Sequence, residues 1–341
     1  MVIDVQTGPM TANDVVPFDA FMDAALYGPE GFYSGQGRAG RRGDFITSPE
    51  VGPLFGAVIA RFLDAEWRRA GSPDTFAVYE VGAGPGTLAR SVLASGAECL
   101  PALRYTCVEI SAAQRDAHPE GVTSLAGLPD GELDGVVLAN ELLDNIPFRL
   151  AVFDGGWREA CVRVDDGRPV EVLSAVLDPC PGVLPAQAPH GARAPLADRA
   201  VAWVDDVVER LCGVLVTWDY FCPTTAACAA RGWREWLRTY RGHDRGGHYL
   251  ATPGQCDITY EPPLDQFRAP DAVRTQAQWL AVHGIDDLVA EGRRVWEESA
   301  AAPDLRALTM RSRVSEAEAL TAVDGLGGFT AVEWRGVRPT Q

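Results

Sequence analysis

The sequence predicts an α/β fold: a mostly parallel sheet with an N-terminal cap, an antiparallel insertion and helical insertions. Three observations predict it. From residue 76 on, apolar runs alternate with helical patterns. FAVYEV (76–81), YTCVEI (105–110), LDGVVLAN (133–140) and LCGVLVTWDY (211–220) each read as a strand. Strands separated by helices pair in parallel through crossover connections. Second, RLAVFDGGWREACVRVDDGRPVEVLSAV (149–176) alternates polar and apolar residues and carries DGG and DDG turns, as antiparallel hairpins do. Third, 341 residues at 47% hydrophobic content can bury a large core, in one elaborated domain or two small ones.

The elements follow in order. Residues 14–27 predict an amphipathic helix with Phe18, Phe21, Met22, Ala25 and Leu26 on one face. Residues 28–50 are glycine-rich but carry aromatic and charged residues, which predicts an ordered loop lying on something. Pro49-Glu50 opens a helix to about residue 70, with Leu54, Phe55, Val58, Ile59 and Phe62 on one face. Helices are expected over 86–95, 111–117 and 196–211, and a weak strand over 122–125. The Pro/Ala-rich stretch 178–195 reads as a surface loop. Residues 230–310 read as mostly helical, with an irregular stretch at 240–263, and GGFTAVEWRGV (327–337) as a final strand. The expected divisions are a helical cap and lid loop (1–75) and a core (76–225) with its insertion at about 149–195. A helical substrate-side region (226–325) and a final core strand with tail (326–341) follow.

A formal net charge of −17 argues against a general nucleic-acid binder, which needs a basic footprint. All 30 basic residues are arginine. The eight cysteines form no CxxC pair, and a chain this long without a secretory pattern predicts free thiols. The first residues have neither a basic n-region nor an apolar h-region, and no apolar run approaches 18 residues. The expectation is a cytoplasmic protein without a membrane span.

Residues 78–90, VYEVGAGPGTLAR, form a strand, a tight turn and the start of a helix. Glycines there let the backbone approach a ligand, and the helix N-terminus offers N–H groups to an anion. A dinucleotide site needs G-x-G-x-x-G/A, but Thr87 stands at the last position. A P-loop needs a lysine. Glu80-Val81-Gly82-Ala83-Gly84-Pro85-Gly86 instead resembles the E-x-G-x-G-x-G loop of class I S-adenosyl-L-methionine (SAM) methyltransferases. Glu109 ends the next strand, where a carboxylate can accept both ribose hydroxyls of an adenosine; the lesser alternative is a neighbour of the helix cap at Ser111. Asn140, Glu141 and Asp144 follow strand 133–139 and point into the ligand crevice at the carboxyl ends of the strands. Glu141 and Asp144, three apart, would share one face of a helical turn. They suit a guanidinium clamp and proton acceptor, or else a solvated helix start favoured by the dipole.

The chain as a whole resembles the MidA-like family of SAM-dependent methyltransferases. The resemblance rests on GDFITSPEVGPLFG (43–56), EVGAGPGTLAR (80–90), VEIS (108–111), ANELLDNIPF (139–148), GVLVTWDY (213–220), TPGQCDITY (252–260) and TQAQWLAVHGI (275–285). It implies a Rossmann-like class I methyltransferase core with SAM as cofactor. It implies a loop at Gly43–Glu50 closing over SAM, with Thr47 and Ser48 as cofactor contacts, and Asn140, Glu141 and Asp144 as the catalytic loop. The mitochondrial members act as arginine methyltransferases in assembly of respiratory complex I. Two departures lie where substrate is expected: Phe221 follows Asp219-Tyr220 where the family has glycine, and 261–270 is short and proline-rich.

The expected function is methylation of an arginine on a protein partner. The alternatives are a small-molecule acceptor, with His243 or Asp219 as base, and a non-catalytic assembly chaperone that binds SAM. The cofactor set is Thr47, Ser48, Glu80, Gly82, Ala83, Gly84, Gly86, Glu109 and Asn140. The catalytic set is Glu141, Asp144 and His243. His243 and His248 lack the spacing of a zinc site, so no metal is expected.

Overall fold

The computed structural model describes residues 15–33, 47–241 and 244–337. Its centre is a seven-stranded sheet. From one edge the order is Thr123–Leu125, Leu103–Val108, Phe76–Val81, Leu133–Asn140, Leu211–Asp219, Thr330–Gly336 and Ala272–Thr275. The first five are parallel, Thr330–Gly336 runs antiparallel to them, and Ala272–Thr275 is antiparallel in turn to Thr330–Gly336. The chain leaves Phe76–Val81 in one direction and returns on its other side as Leu133–Asn140. The switch point therefore lies between these two strands, where open α/β sheets bind ligands beyond the carboxyl ends.

Alternation along the strands builds a core on each face. Val137 and Leu215 face one cluster with helix Asp198–Arg210 and helix Phe18–Tyr27. Val136, Leu138, Val214 and Val216 face the other, with Pro53–Arg69, Thr87–Leu93 and Gln276–Val282. Phe55, Trp218, Trp279 and Phe62 pack edge-on in series at 5.7, 4.9 and 5.2 Å between ring centres. All four are at most 1% exposed, so truncating Phe62 to alanine would cost about 3–5 kcal/mol.

The insertion is antiparallel, as its alternation predicts. Arg149–Phe153, Trp157–Asp165 and Arg168–Val176 pair in sequence, the last two through Asp166 (φ 49°) and Gly167 (φ 74°). Two consecutive positive φ values match the right-handed twist of a hairpin. Val15–Pro17 pairs with Trp157–Asp165 and so ties the N-terminal helix to the insertion.

Two expectations are corrected. The end of the surface loop expected over 178–195 forms Arg193–Leu196, which joins the insertion sheet beside Arg149–Phe153. The region read as mostly helical carries a second small sheet, Asp244–Arg245, Leu237–Arg241 and Asp257–Tyr260, and sends Ala272–Thr275 to the core sheet. Asp257–Tyr260 is buried at all four residues, so it shows no alternation. Its partner lies some twenty residues upstream, Leu237 opposite Tyr260. Strands this short, paired at that distance, leave no local period to read.

Candidate active site

The carboxyl ends of Phe76–Val81 and Leu133–Asn140 open into a cavity of about 480 Å³. That lies within the roughly 300–1,000 Å³ usual for small-molecule sites. Its floor is the glycine turn. Gly82 and Ala83 donate their N–H groups to Val108 O at 2.9 and 3.1 Å. Gly82 has φ 72° and Gly84 φ 53°, the left-handed region that glycine enters without strain. A Cβ at Gly82 would lie 3.2 Å from Leu142 Cδ1. The N–H of Gly84 goes to Glu109 Oε2 at 3.0 Å, and Ser111 N–H goes to Glu109 Oε1 at 2.9 Å. Glu109 therefore both serves as the neighbour of the Ser111 cap and lines the cavity. Each oxygen keeps a lone pair for a further donor. Glu80 is buried beneath the turn and accepts Tyr105 Oη–H at 2.8 Å; burial pushes its carboxyl up to about 8.

The opposite wall is the turn after Leu133–Asn140. Glu141 has φ 50°, unusual for a non-glycine residue, and its N–H donates to Trp218 O at 2.8 Å. Asp144 sits in a short 3₁₀ turn, Leu143–Asn145. The two residues thus do not share one regular helical turn, because Glu141 kinks the chain before it starts. Both side chains nonetheless reach the cavity. Asn140 Nδ2 donates to Glu141 Oε1 at 3.0 Å, and Thr259 Oγ1 donates to Asp144 Oδ2 at 2.6 Å. Burial, with the Asp144 charge beside it, pushes Glu141 up to about 8. Burial pushes Asp144 up to about 6, against the lowering hydrogen bond from Thr259.

Asp219, fully buried, anchors this turn. Its Oδ2 accepts Leu143 N–H at 2.8 Å and Asp144 N–H at 3.2 Å, and its Oδ1 accepts Tyr220 N–H at 2.8 Å. Tyr27 Oη–H donates to Asn145 O at 3.0 Å, and Asn145 Nδ2 donates to Asp257 Oδ1 at 3.0 Å. The N-terminal helix and the small sheet thereby close over the same turn.

The electrostatics are one-sided. Glu50, Glu80, Glu109, Glu141, Asp144, Asp206 and Asp257 line the cavity among the described residues. The one basic side chain among them, Arg210, gives its guanidinium to Asp206 and to the Pro129 and Gly131 carbonyls. Such a lining favours a cationic occupant.

Comparison with known proteins now decides the family. A family model described as "Putative S-adenosyl-L-methionine-dependent methyltransferase" matches residues 58–269, well over half of the chain. The chain belongs to this methyltransferase family. It is similar to a Drosophila melanogaster protein named "Protein arginine methyltransferase NDUFAF7 homolog, mitochondrial", 29% identical over 75% of this chain and 65% of that protein. The Rattus norvegicus NDUFAF7 protein is 28% identical over 77% and 66%. The chain therefore spans slightly under two thirds of the length of these relatives. A solved Burkholderia thailandensis structure bound to S-adenosyl-homocysteine shares its fold, with TM-score 0.79 and 28% identity over 96% of this chain and 89% of that one.

In this methyltransferase-family chain the residues fit an adenosyl ligand: a glycine cradle without side chains, a carboxylate beside it, and unpartnered acceptors facing the space. Gln114 Oε1, Asn140 Oδ1 and Asp144 Oδ1 are buried, lack a hydrogen-bond partner among the described residues and belong to lining residues. SAM would rest on Gly82, Ala83 and Gly84 between Glu80, Glu109 and Asn140.

The structure brings together Thr47, Glu80, Gly82, Ala83, Gly84, Glu109, Asn140, Glu141 and Asp144 as lining. Gly86 stands behind the turn as the cap of helix Thr87–Leu93, with φ 77°. Ser48 is fully buried; its Oγ–H donates to Gln276 Oε1 at 2.9 Å, away from the cavity. Its backbone N–H faces the Glu141 carboxylate. His243 and most of the expected lid lie outside the described residues. His248 packs on Trp233 and Tyr249 at 5.3 and 4.2 Å. Sequence reasoning missed Gln114, Tyr27, Asn145 and Thr259, and cast Asp219 as a base rather than an anchor. Asp219, Asn145 and Thr259 lay in motifs already singled out; Gln114 and Tyr27 meet the site through tertiary packing.

Proposed function

We propose that the protein transfers the methyl group of SAM to an arginine side chain of a protein partner. The carrying observation is the cavity lining: among the described residues, seven carboxylates with a single arginine already engaged. When bound, SAM supplies an electrophilic methyl group on a positively charged sulfur. The chain's residues hold and align the acceptor and exclude water. Glu141 and Asp144 have no ion pair among the described residues, and Asp144 Oδ1 has no partner at all. A guanidinium presents paired N–H donors that match such carboxylates. As its nitrogen gains the methyl it releases a proton, and a carboxylate titrating between about 6 and 8 is well placed to take it near neutral pH.

The names of the Drosophila and rat relatives support the arginine acceptor. All eight cysteines are free thiols, which supports a reducing, cytoplasmic setting. The test is incubation of the enzyme with methyl-labelled SAM and a cell extract, followed by mass spectrometry. Label on arginine is the expected result. Label confined to small molecules, or SAM bound without transfer, would overturn the proposal in favour of the small-molecule or chaperone reading.

A further inference from the structure

Within the glycine turn, both backbone polar groups of Gly84 bond to the protein itself. Gly84 gives its N–H to Glu109 Oε2 at 3.0 Å, and its carbonyl lies 2.9 Å from His118 Nε2. His118 donates from Nε2, because the carbonyl can only accept. The backbone of Gly84 is thus engaged by its own protein on both sides. Gln114, in the short helix Ala112–Arg115, lies over the open face of this residue. Its Oε1 is 3.4 Å from the position a Gly84 Cβ would take. The side chain is only 6% exposed, lines the cavity and leaves Oε1 without a partner.

Burying an amide oxygen without a donor destabilises a fold, so the arrangement makes sense where a ligand completes it. Glu109 Oε2 meets the same glycine and has lone pairs to spare. A carboxylate and an amide oxygen flanking one residue make two adjacent acceptors. Two adjacent donors on a small molecule are the signature of a vicinal diol. The geometry points to Gln114 as a specificity-determining residue: it accepts one sugar hydroxyl of the adenosyl ligand, while Glu109 accepts the other. This rests on the reading that SAM occupies the cavity.

Calorimetry tests it with S-adenosylhomocysteine and its 2′-deoxy and 3′-deoxy analogues, against wild-type protein and Gln114→Met, a near-isosteric change. Wild-type protein should bind each deoxy analogue about tenfold or more weakly than the parent. Gln114→Met should bind the parent about tenfold weaker and no longer distinguish it from one of the two analogues, a coupling only a direct contact produces. Undiminished discrimination in Gln114→Met would overturn the inference: with parent affinity retained it means no contact, and with parent affinity lowered it points to the ligand ammonium instead. Should that variant fail to fold, Gln114→Leu takes its place. Wild-type protein that binds either deoxy analogue as tightly as the parent overturns the inference without any variant. Wild-type protein that binds no S-adenosylhomocysteine would instead overturn the cofactor reading itself.

Discussion

The Asp219 carboxylate holds Asp144 by its backbone: Oδ2 accepts the N–H of Asp144 at 3.2 Å, and of Leu143 at 2.8 Å. One buried carboxylate at the end of strand Leu211–Asp219 thus fixes another at the end of Leu133–Asn140. Asp219→Asn replaces an oxygen with a donor where at least one N–H needs an acceptor. Turnover should fall about tenfold or more, while S-adenosylhomocysteine affinity stays within about threefold, because the glycine turn lies on a different strand. Equal losses of binding and turnover, measured by calorimetry and steady-state kinetics, would mean the turn also holds the cofactor.

Gly84 has φ 53° and faces Gln114. Gly84→Val puts a β-branched side chain into a left-handed conformation and into the cradle. Calorimetry should show S-adenosylhomocysteine binding weakened by about a hundredfold or lost. Near-native affinity would show that the ligand does not lie on this turn.

The pH dependence follows from the raised carboxyls. Asp144 titrates near 6 and Glu141 near 8, so the ionised pair gains population as pH rises across that window. The transfer rate at saturating SAM should climb from pH 6 to about 8. Thr259→Val removes the hydrogen bond that lowers Asp144. Its pH–rate profile should move to higher pH; a profile unmoved in that variant would take Asp144 out of the rate-controlling ionisation.

The same shift has a stability consequence of opposite sense. The folded-state carboxyl of Glu141 titrates near 8, above its unfolded value of about 4.5. Between those values the unfolded chain has released a proton that the folded chain keeps, so wild-type stability declines as pH rises. Glu141→Gln should therefore melt roughly 2–4 °C above wild type at pH 8 and match it near pH 4.5. A lower melting temperature at pH 8 would mean the carboxylate is held by interactions stronger than its burial cost.

The parallel core was legible because its strands are long apolar runs bounded by glycine turns, and Glu80, Gly82, Gly84 and Glu109 sit at fixed places relative to those runs. Asn140, Glu141 and Asp144 were legible for the same reason: the end of a strong strand at the switch point is a known address. The small sheet was not, because Asp257–Tyr260 is buried on both sides and pairs with distant residues. Thr259 bonds Asp144 across 115 positions, and Asn145 bonds Asp257 across 112. The left-handed conformation of Glu141 was also hidden. Glutamate has no local preference for it, and tertiary packing imposes it, with the N–H bonded to Trp218 O.

The central claim is that Glu141 serves the acceptor and not the cofactor. Glu141→Gln keeps the shape, and its oxygen can still accept from Asn140, but it removes the charge. The deciding measurement is the single-turnover methyl-transfer rate of this variant at saturating SAM, beside its affinity for S-adenosylhomocysteine. The account predicts affinity within about threefold of wild type, under roughly 1 kcal/mol, and a rate lowered by about a hundredfold or more. Lost cofactor binding with an unchanged rate at saturation would contradict it and make Glu141 a cofactor ligand.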